Sequence, residues 1–250
     1  MKDFDAFSKS KQYSQAFHRV FSKNRNEGKI ENIDEEKHDF EAQLKKNCRN
    51  TLLDSIRIID KSKTLEKLLT KTKLSELSGE IMKIAGFVKA MPLLNSNKKE
   101  SIITFLISLD YLVKGLFTHW QITLMDESKK SRHSRIRRKM QNEALIMKND
   151  IKYNILIGDQ FHAKAYYLTT RLGNNELSGI LTRIEENFSK IIFRDGYNGC
   201  KKHNLKKLYK HFYNYLPTFF GQGFKGIAII SELKSPSIEQ SFKLGIEYGF

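Results

Sequence analysis

ILIGDQFHAKAYYL, residues Ile155–Leu168, is the stretch on which the fold turns. Apolar residues lead into Gly158-Asp159, and small side chains then recur beside Phe161, Tyr166 and Leu168 at helical spacing. Gly158, Ala163 and Ala165 predict a helix whose small residues let a neighbouring helix come close. An aspartate inside so apolar a run is costly to bury unless it is paired, so Asp159 needs a partner or a task. A capped helix–helix contact would supply the first, and a functional carboxylate the second.

Outward from this helix the chain stays helical. Three prolines and 14 glycines in 250 residues leave few breaks, and strands would demand more regular turn signals. Phe40 opens a helical region, with an apolar stripe at Leu44, Leu52, Leu53, Ile56 and Ile59 and another at Leu65, Leu68 and Leu69. Further helices are predicted over 75–88, 101–120, 146–172, 176–193, 205–215, 219–233 and 238–250. Pro92 and Pro236 should interrupt the pattern, as should the loop bearing Gly196 and Gly199. The most hydrophobic segment, 102–116, is broken by Asp110 and Lys114 and reads as a buried core helix rather than a membrane span. There is no internal repeat and no heptad run long enough for a coiled coil. An all-α domain over 39–250 follows, preceded by a loose basic segment over 1–38.

Cys48 and Cys200 lie far apart with no histidine at ligand spacing. They read as reduced thiols rather than a disulfide or half a zinc site, and the seven histidines are scattered too. The net charge of +16 suits an anionic partner: a diphosphate, an anionic membrane surface or nucleic acid. A lysine-rich nucleotide bias would produce the same excess. Lys129–Lys139 is a dense basic run, and within it Arg132–Lys139 is either a solvated loop or a contact to a diphosphate, an anionic membrane or nucleic acid. Phe4, Phe7, Phe17 and Phe21 among Lys and Arg give residues 1–38 an amphipathic basic character resembling a transit peptide, although Asp3 and Asp5 count against one. His119 and Trp120, on an apolar helix, read as core or interface, and so does the aromatic stretch Tyr209–Phe220.

Four segments in order resemble the trans-isoprenyl diphosphate synthases. LSELSGEIMKIAGFVKAMPLL (74–94) resembles the helix and Pro-Leu-Leu before that family's first long core helix. THWQITLMDES (118–128) resembles the helix entering its first aspartate-rich motif. IKYNILIGDQFHAKAYYL (151–168) resembles its Gly-Asp helix. LPTFFGQGFKGIAIISEL with SFKLGIEYG (216–249) resembles the helices before the second aspartate-rich motif. The resemblance implies an antiparallel helical bundle of the isoprenoid-synthase type, C-terminally incomplete, since the second motif would follow Glu247-Tyr248-Gly249-Phe250.

Active members of that family hold Mg²⁺ on an allylic diphosphate with two DDxxD motifs, because hard carboxylate oxygens suit that ion and charge develops on the leaving group. This chain departs from the pattern residue by residue. Asp126 and Glu127 match the opening carboxylates, but Lys130 replaces the closing aspartate and puts positive charge where a cation would sit. In the Lys-x-x-Arg-Pro segment Pro92 is kept, while Val88 and Met91 stand at the lysine and arginine positions. In the Lys-Thr segment Thr218 matches and Pro217 replaces the lysine. Arg137 and Arg138 are the candidates for the phosphate-binding arginine pair. With the apolar frame kept and the ligands lost, the resemblance implies a subunit with no catalytic residue or metal of its own, whose catalytic partner carries the Mg²⁺. The product would be the polyprenyl side chain of ubiquinone, and the compartment the mitochondrion. The competing expectations are a divergent, active prenyl diphosphate synthase using Asp126 and Glu127, and a basic helical nucleic-acid-binding protein.

Overall fold

A computed structural model describes residues 40, 42–48, 50, 79–86, 96–130, 151–198 and 214–249, with backbone alone at 96–97, 121–130, 151–154 and 192–198. Among them are seven helices and no strands. In chain order they are α1 (42–48), α2 (79–86), α3 (Ser96–Lys130), α4 (Ile151–Thr170), α5 (Asn175–Asn198), α6 (Leu216–Ile230) and α7 (Ser235–Tyr248). The chain is all-α over these residues. Residues 1–38, the stripes over 52–69, Pro92, the arginines Arg137 and Arg138 and Cys200 lie outside them.

Helix α3 is the axis of the bundle. From Ile102 to Thr118 almost every side chain is buried, on all sides of the helix, because α4, α5 and α6 pack around it. The span Lys98–Trp120 has the length and hydropathy to cross a membrane, yet 83% of its apolar window is buried inside the protein, as a core helix requires. Its polar residues are satisfied locally. Ser108 Oγ donates to the Phe105 carbonyl at 2.7 Å, and Thr118 Oγ1 to that of Lys114 at 2.7 Å. Asp110 and Lys114, both fully buried, form an ion pair one turn apart. Lys114 Nζ also lies 3.4 Å from the Cys48 carbonyl and so ties α1 to the core. Burial, then the Asp110 charge, pushes the Cys48 thiol up to about 12, which keeps it protonated.

Helices α4 and α5 form a hairpin. Gly173, at φ +67°, ends the first helix in the left-handed conformation that glycine adopts without strain. Asn174 Oδ1 then accepts the Glu176 N–H at 2.9 Å and caps the second. Leu177, Ile180, Leu181, Ile184, Phe188 and Ile191 give α5 a single buried stripe. Helices α6 and α7 form a second antiparallel hairpin, so close that backbone meets backbone. A Cβ at Gly245 would lie 2.6 Å from the Phe220 carbonyl carbon and 2.7 Å from Gly221 Cα.

The helix ends differ from those expected. Helix α3 runs to Lys130, past the expected stop at Trp120. Helix α5 runs to Asn198, so Gly196 is helical rather than part of a loop. Pro217 and Pro236 sit inside the first turns of α6 and α7, where the missing N–H costs nothing; the expected break between the last two helices is present, and α7 takes Pro236 into its first turn.

Candidate functional site

Helices α3 and α4 run antiparallel, and each carries the same short pattern. Gly115-Leu-Phe-Thr-His119 on α3 faces Gly158-Asp-Gln-Phe-His162 on α4. Each histidine fills the notch above the other helix's glycine. A Cβ at Gly115 would lie 2.7 Å from His162 Nε2, and one at Gly158 would overlap the His119 ring. The two imidazoles therefore stack, with centroids 5.1 Å apart and planes 15° from parallel. One turn along, Tyr111 meets Phe161 at 6.0 Å and continues the seam into the core.

Each imidazole is held by a carboxylate. His119 Nε2 lies 3.2 Å from Asp159 Oδ1 and 3.4 Å from the Ile155 carbonyl. Both neighbours are acceptors, so the proton that satisfies them sits on Nε2. His162 Nδ1 lies 3.1 Å from Glu185 Oε1 on α5 and donates to it. Its other nitrogen, Nε2, is buried against Gly115 without a hydrogen-bond partner. Glu185 Oε2 accepts from the Tyr166 hydroxyl at 2.8 Å, and Thr182 Oγ1 is 3.3 Å from the same hydroxyl. The hydrogen bond from His162 holds the Glu185 carboxyl below its ordinary value of 4.5, against an opposing contribution from burial. Burial pushes the Tyr166 hydroxyl up to about 12.

This arrangement locks three helices together. From α4, Asp159 reaches His119 on α3 and His162 reaches Glu185 on α5, and through them α3 and α5 are fixed to one register. Parallel rings direct their in-plane lone pairs past each other, so the two imidazoles do not converge on one ion. No group of three or more His, Cys, Asp or Glu side chains among the described residues has the geometry to hold a metal.

The residues singled out in the sequence fall unevenly. Gly158, Asp159 and Ala165 all lie on α4, with Gly158 and Ala165 buried and Asp159 exposed. Ala163 is a correction: it was expected in the close contact, but it is exposed. Two residues apart means about 200° around the helix, so Ala163 and Ala165 cannot both face α3. Of the two structural roles open to Asp159, helix-terminal or hydrogen-bonding, the structure gives it the second: it lies more than two turns inside α4 and pairs with His119 at 3.2 Å. Asp126, Glu127 and Lys130 end the α3 backbone, and Thr218 lies in the first turn of α6. Gly115, His162, Tyr166 and Glu185 were missed. The repeated Gly-x-x-x-His on two helices was the available signal, since an antiparallel pair brings each histidine onto the other helix's glycine.

No protein-family model, curated protein or solved structure matches the chain.

Proposed function

We propose that the chain is a non-catalytic subunit of a heteromeric trans-polyprenyl diphosphate synthase with a bundle of the isoprenoid-synthase type. A catalytic partner chain would hold the Mg²⁺ and the allylic diphosphate and make the ubiquinone side chain in the mitochondrion. One observation carries this reading. In the Gly-Asp helix the carboxylate of Asp159 is engaged by His119 from the long core helix at 3.2 Å. The glycine before it is used as a packing notch. A frame of that kind keeps helices in register and gives one oxygen of the carboxylate a structural partner. Lys130 in place of the closing aspartate of the first motif points the same way, because positive charge at that sequence position disfavours the cation that a catalytic member must bind.

Association with a catalytic polyprenyl diphosphate synthase chain tests the reading. The two chains, co-expressed and passed over a sizing column, should elute together in fixed ratio. Independent elution under all salt conditions would refute the subunit assignment.

A further inference from the structure

Each of the stacked histidines rests one nitrogen on a carboxylate, but their other surroundings differ. The His119 side chain is 36% exposed, at the end of the α3–α4 seam where Ile155 and Leu156 are exposed too. His162 sits one turn further in, over Gly115, and its Nε2 is buried there. With only a lone pair on Nε2 that contact is cheap, but a proton would make it a buried donor in need of an acceptor. The charged groups around the stack are already engaged elsewhere. On α4, Asp159 holds His119. On α5, Glu185 holds Nδ1 of His162 and the Tyr166 hydroxyl, and Glu186 pairs with Lys190. On α3, Asp110 and Lys114 pair with each other on the side turned to α1. On α6, Lys225 pairs with Glu176.

Glu185 does not decide what a second proton on His162 does, because both partners belong to the α4–α5 hairpin. Their contact is the same whether or not the hairpin lies against α3. What differs is Nε2, which is covered by Gly115 in the closed seam and hydrated once the helices part. We propose that the His119–His162 stack is a proton-operated latch, closed while His162 is neutral and opened from the His119–Ile155 end when His162 takes a second proton. His119 pulls the other way, since its protonation turns the Asp159 contact into an ion pair across the seam. Asp159 is 62% exposed, so that pair is weak, and two imidazolium rings with centroids 5.1 Å apart repel. His162 therefore sets the sign. The closed seam binds fewer protons than the open one, so closure is complete above the ordinary imidazole value of about 6.5 and is lost as the pH falls below it. The Glu185 carboxyl, held below 4.5, is still ionised in that window, so the latch opens before the Glu185 contact breaks. The inference stands apart from the subunit reading, because it uses only the seam between α3 and α4.

Hydrogen exchange on the full-length chain tests it, read by mass spectrometry at about pH 8 and about pH 5.5 and corrected for intrinsic amide rates. A buried N–H without an acceptor shifts such an opening equilibrium on the order of tenfold to a hundredfold. Protection across Gly115–Trp120 and Ile155–His162 should fall by about that factor, while the α6–α7 hairpin keeps its own. His162→Asn retains an N–H for Glu185 but takes no second proton, so its protection should be the same at both pH values. His119→Gln retains a donor for Asp159 and should leave the loss in place. Asparagine is smaller than imidazole and loosens the notch by itself, so each variant is compared with itself across pH, and the wild-type pattern is decisive without them. Wild-type protection that does not change with pH, or that falls evenly over all the helices, would overturn the inference, as would a response that survives in His162→Asn.

Discussion

Gly115 and Gly158 look equivalent, yet replacing each by alanine should have different consequences. A Cβ at Gly115 would lie 2.7 Å from His162 Nε2 and 3.2 Å from the Gly158 carbonyl oxygen. The His162 side chain is only 14% exposed and is held by Glu185, so it has nowhere to go. Overpacking of this kind costs about 1–3 kcal/mol. Displacing the ring also weakens a hydrogen bond to a charged group, worth about 1.5–3 kcal/mol. Against these stands about 1 kcal/mol gained by replacing a helical glycine with alanine. Gly115→Ala should therefore destabilise the chain by about 2–4 kcal/mol, which lowers Tm by roughly 5–15 °C for a chain of this size. At Gly158 the obstructing group is the His119 ring, 36% exposed, which can swing into solvent. Its pair with the largely exposed Asp159 is worth only about 0.2–1 kcal/mol. The helix-propensity gain offsets that loss, so Gly158→Ala should change stability by less than about 1 kcal/mol. Thermal and urea unfolding of the full chain measure both. Equal losses, or a larger loss at Gly158, would refute the account of the notches.

Three further perturbations probe the rest of the frame. Glu185 has a folded-state pKa held below 4.5 by the His162 hydrogen bond, so the stabilisation it supplies is complete above that pH and is lost as the pH falls through the folded value. Urea midpoints taken between neutral pH and the acid range should fall less steeply below that point for Glu185→Gln than for wild type. Lys114→Met leaves Asp110 as a buried charge without its ammonium and should cost about 3–5 kcal/mol by urea unfolding; unchanged stability would mean the pair is hydrated. Gly245→Ala drives a methyl into the α6 backbone and should cost up to about 3 kcal/mol, with Phe220 and Tyr248, whose rings are 5.0 Å apart, losing contact as α7 is levered outward.

Where one element's own pattern governs, the sequence was a sufficient guide. The four-three spacing of α5 marks one buried face, and Leu172-Gly173-Asn174 announces both the end of α4 and the cap of α5. The all-round apolarity of 102–116 identified a core helix because a surface helix of that composition would expose its side chains. Helix ends were harder to place. Pro217 and Pro236 act as breakers or as first-turn residues depending on where the preceding chain leads, and Gly196 is tolerated within α5. The Gly-Asp pair was visible as unusual, but its meaning lies in pairing. Nothing within Ile155–Leu168 says that His119 will reach Asp159, or that Glu185 will accept from both His162 and Tyr166, until the antiparallel register of α3, α4 and α5 is fixed. Ala163 was misassigned because two positions along a helix turn the chain through about 200°, so with Ala165 buried Ala163 falls on the exposed face of α4.

The measurement that bears most directly on the subunit account is prenyl transfer from labelled isopentenyl diphosphate with Mg²⁺, in three samples: this chain, a catalytic polyprenyl diphosphate synthase chain, and the two co-expressed. The account predicts long-chain product from the co-expressed pair and none from this chain. Product from this chain by itself, abolished by Asp126→Ala, would contradict it and make Asp126 and Glu127 a working metal site.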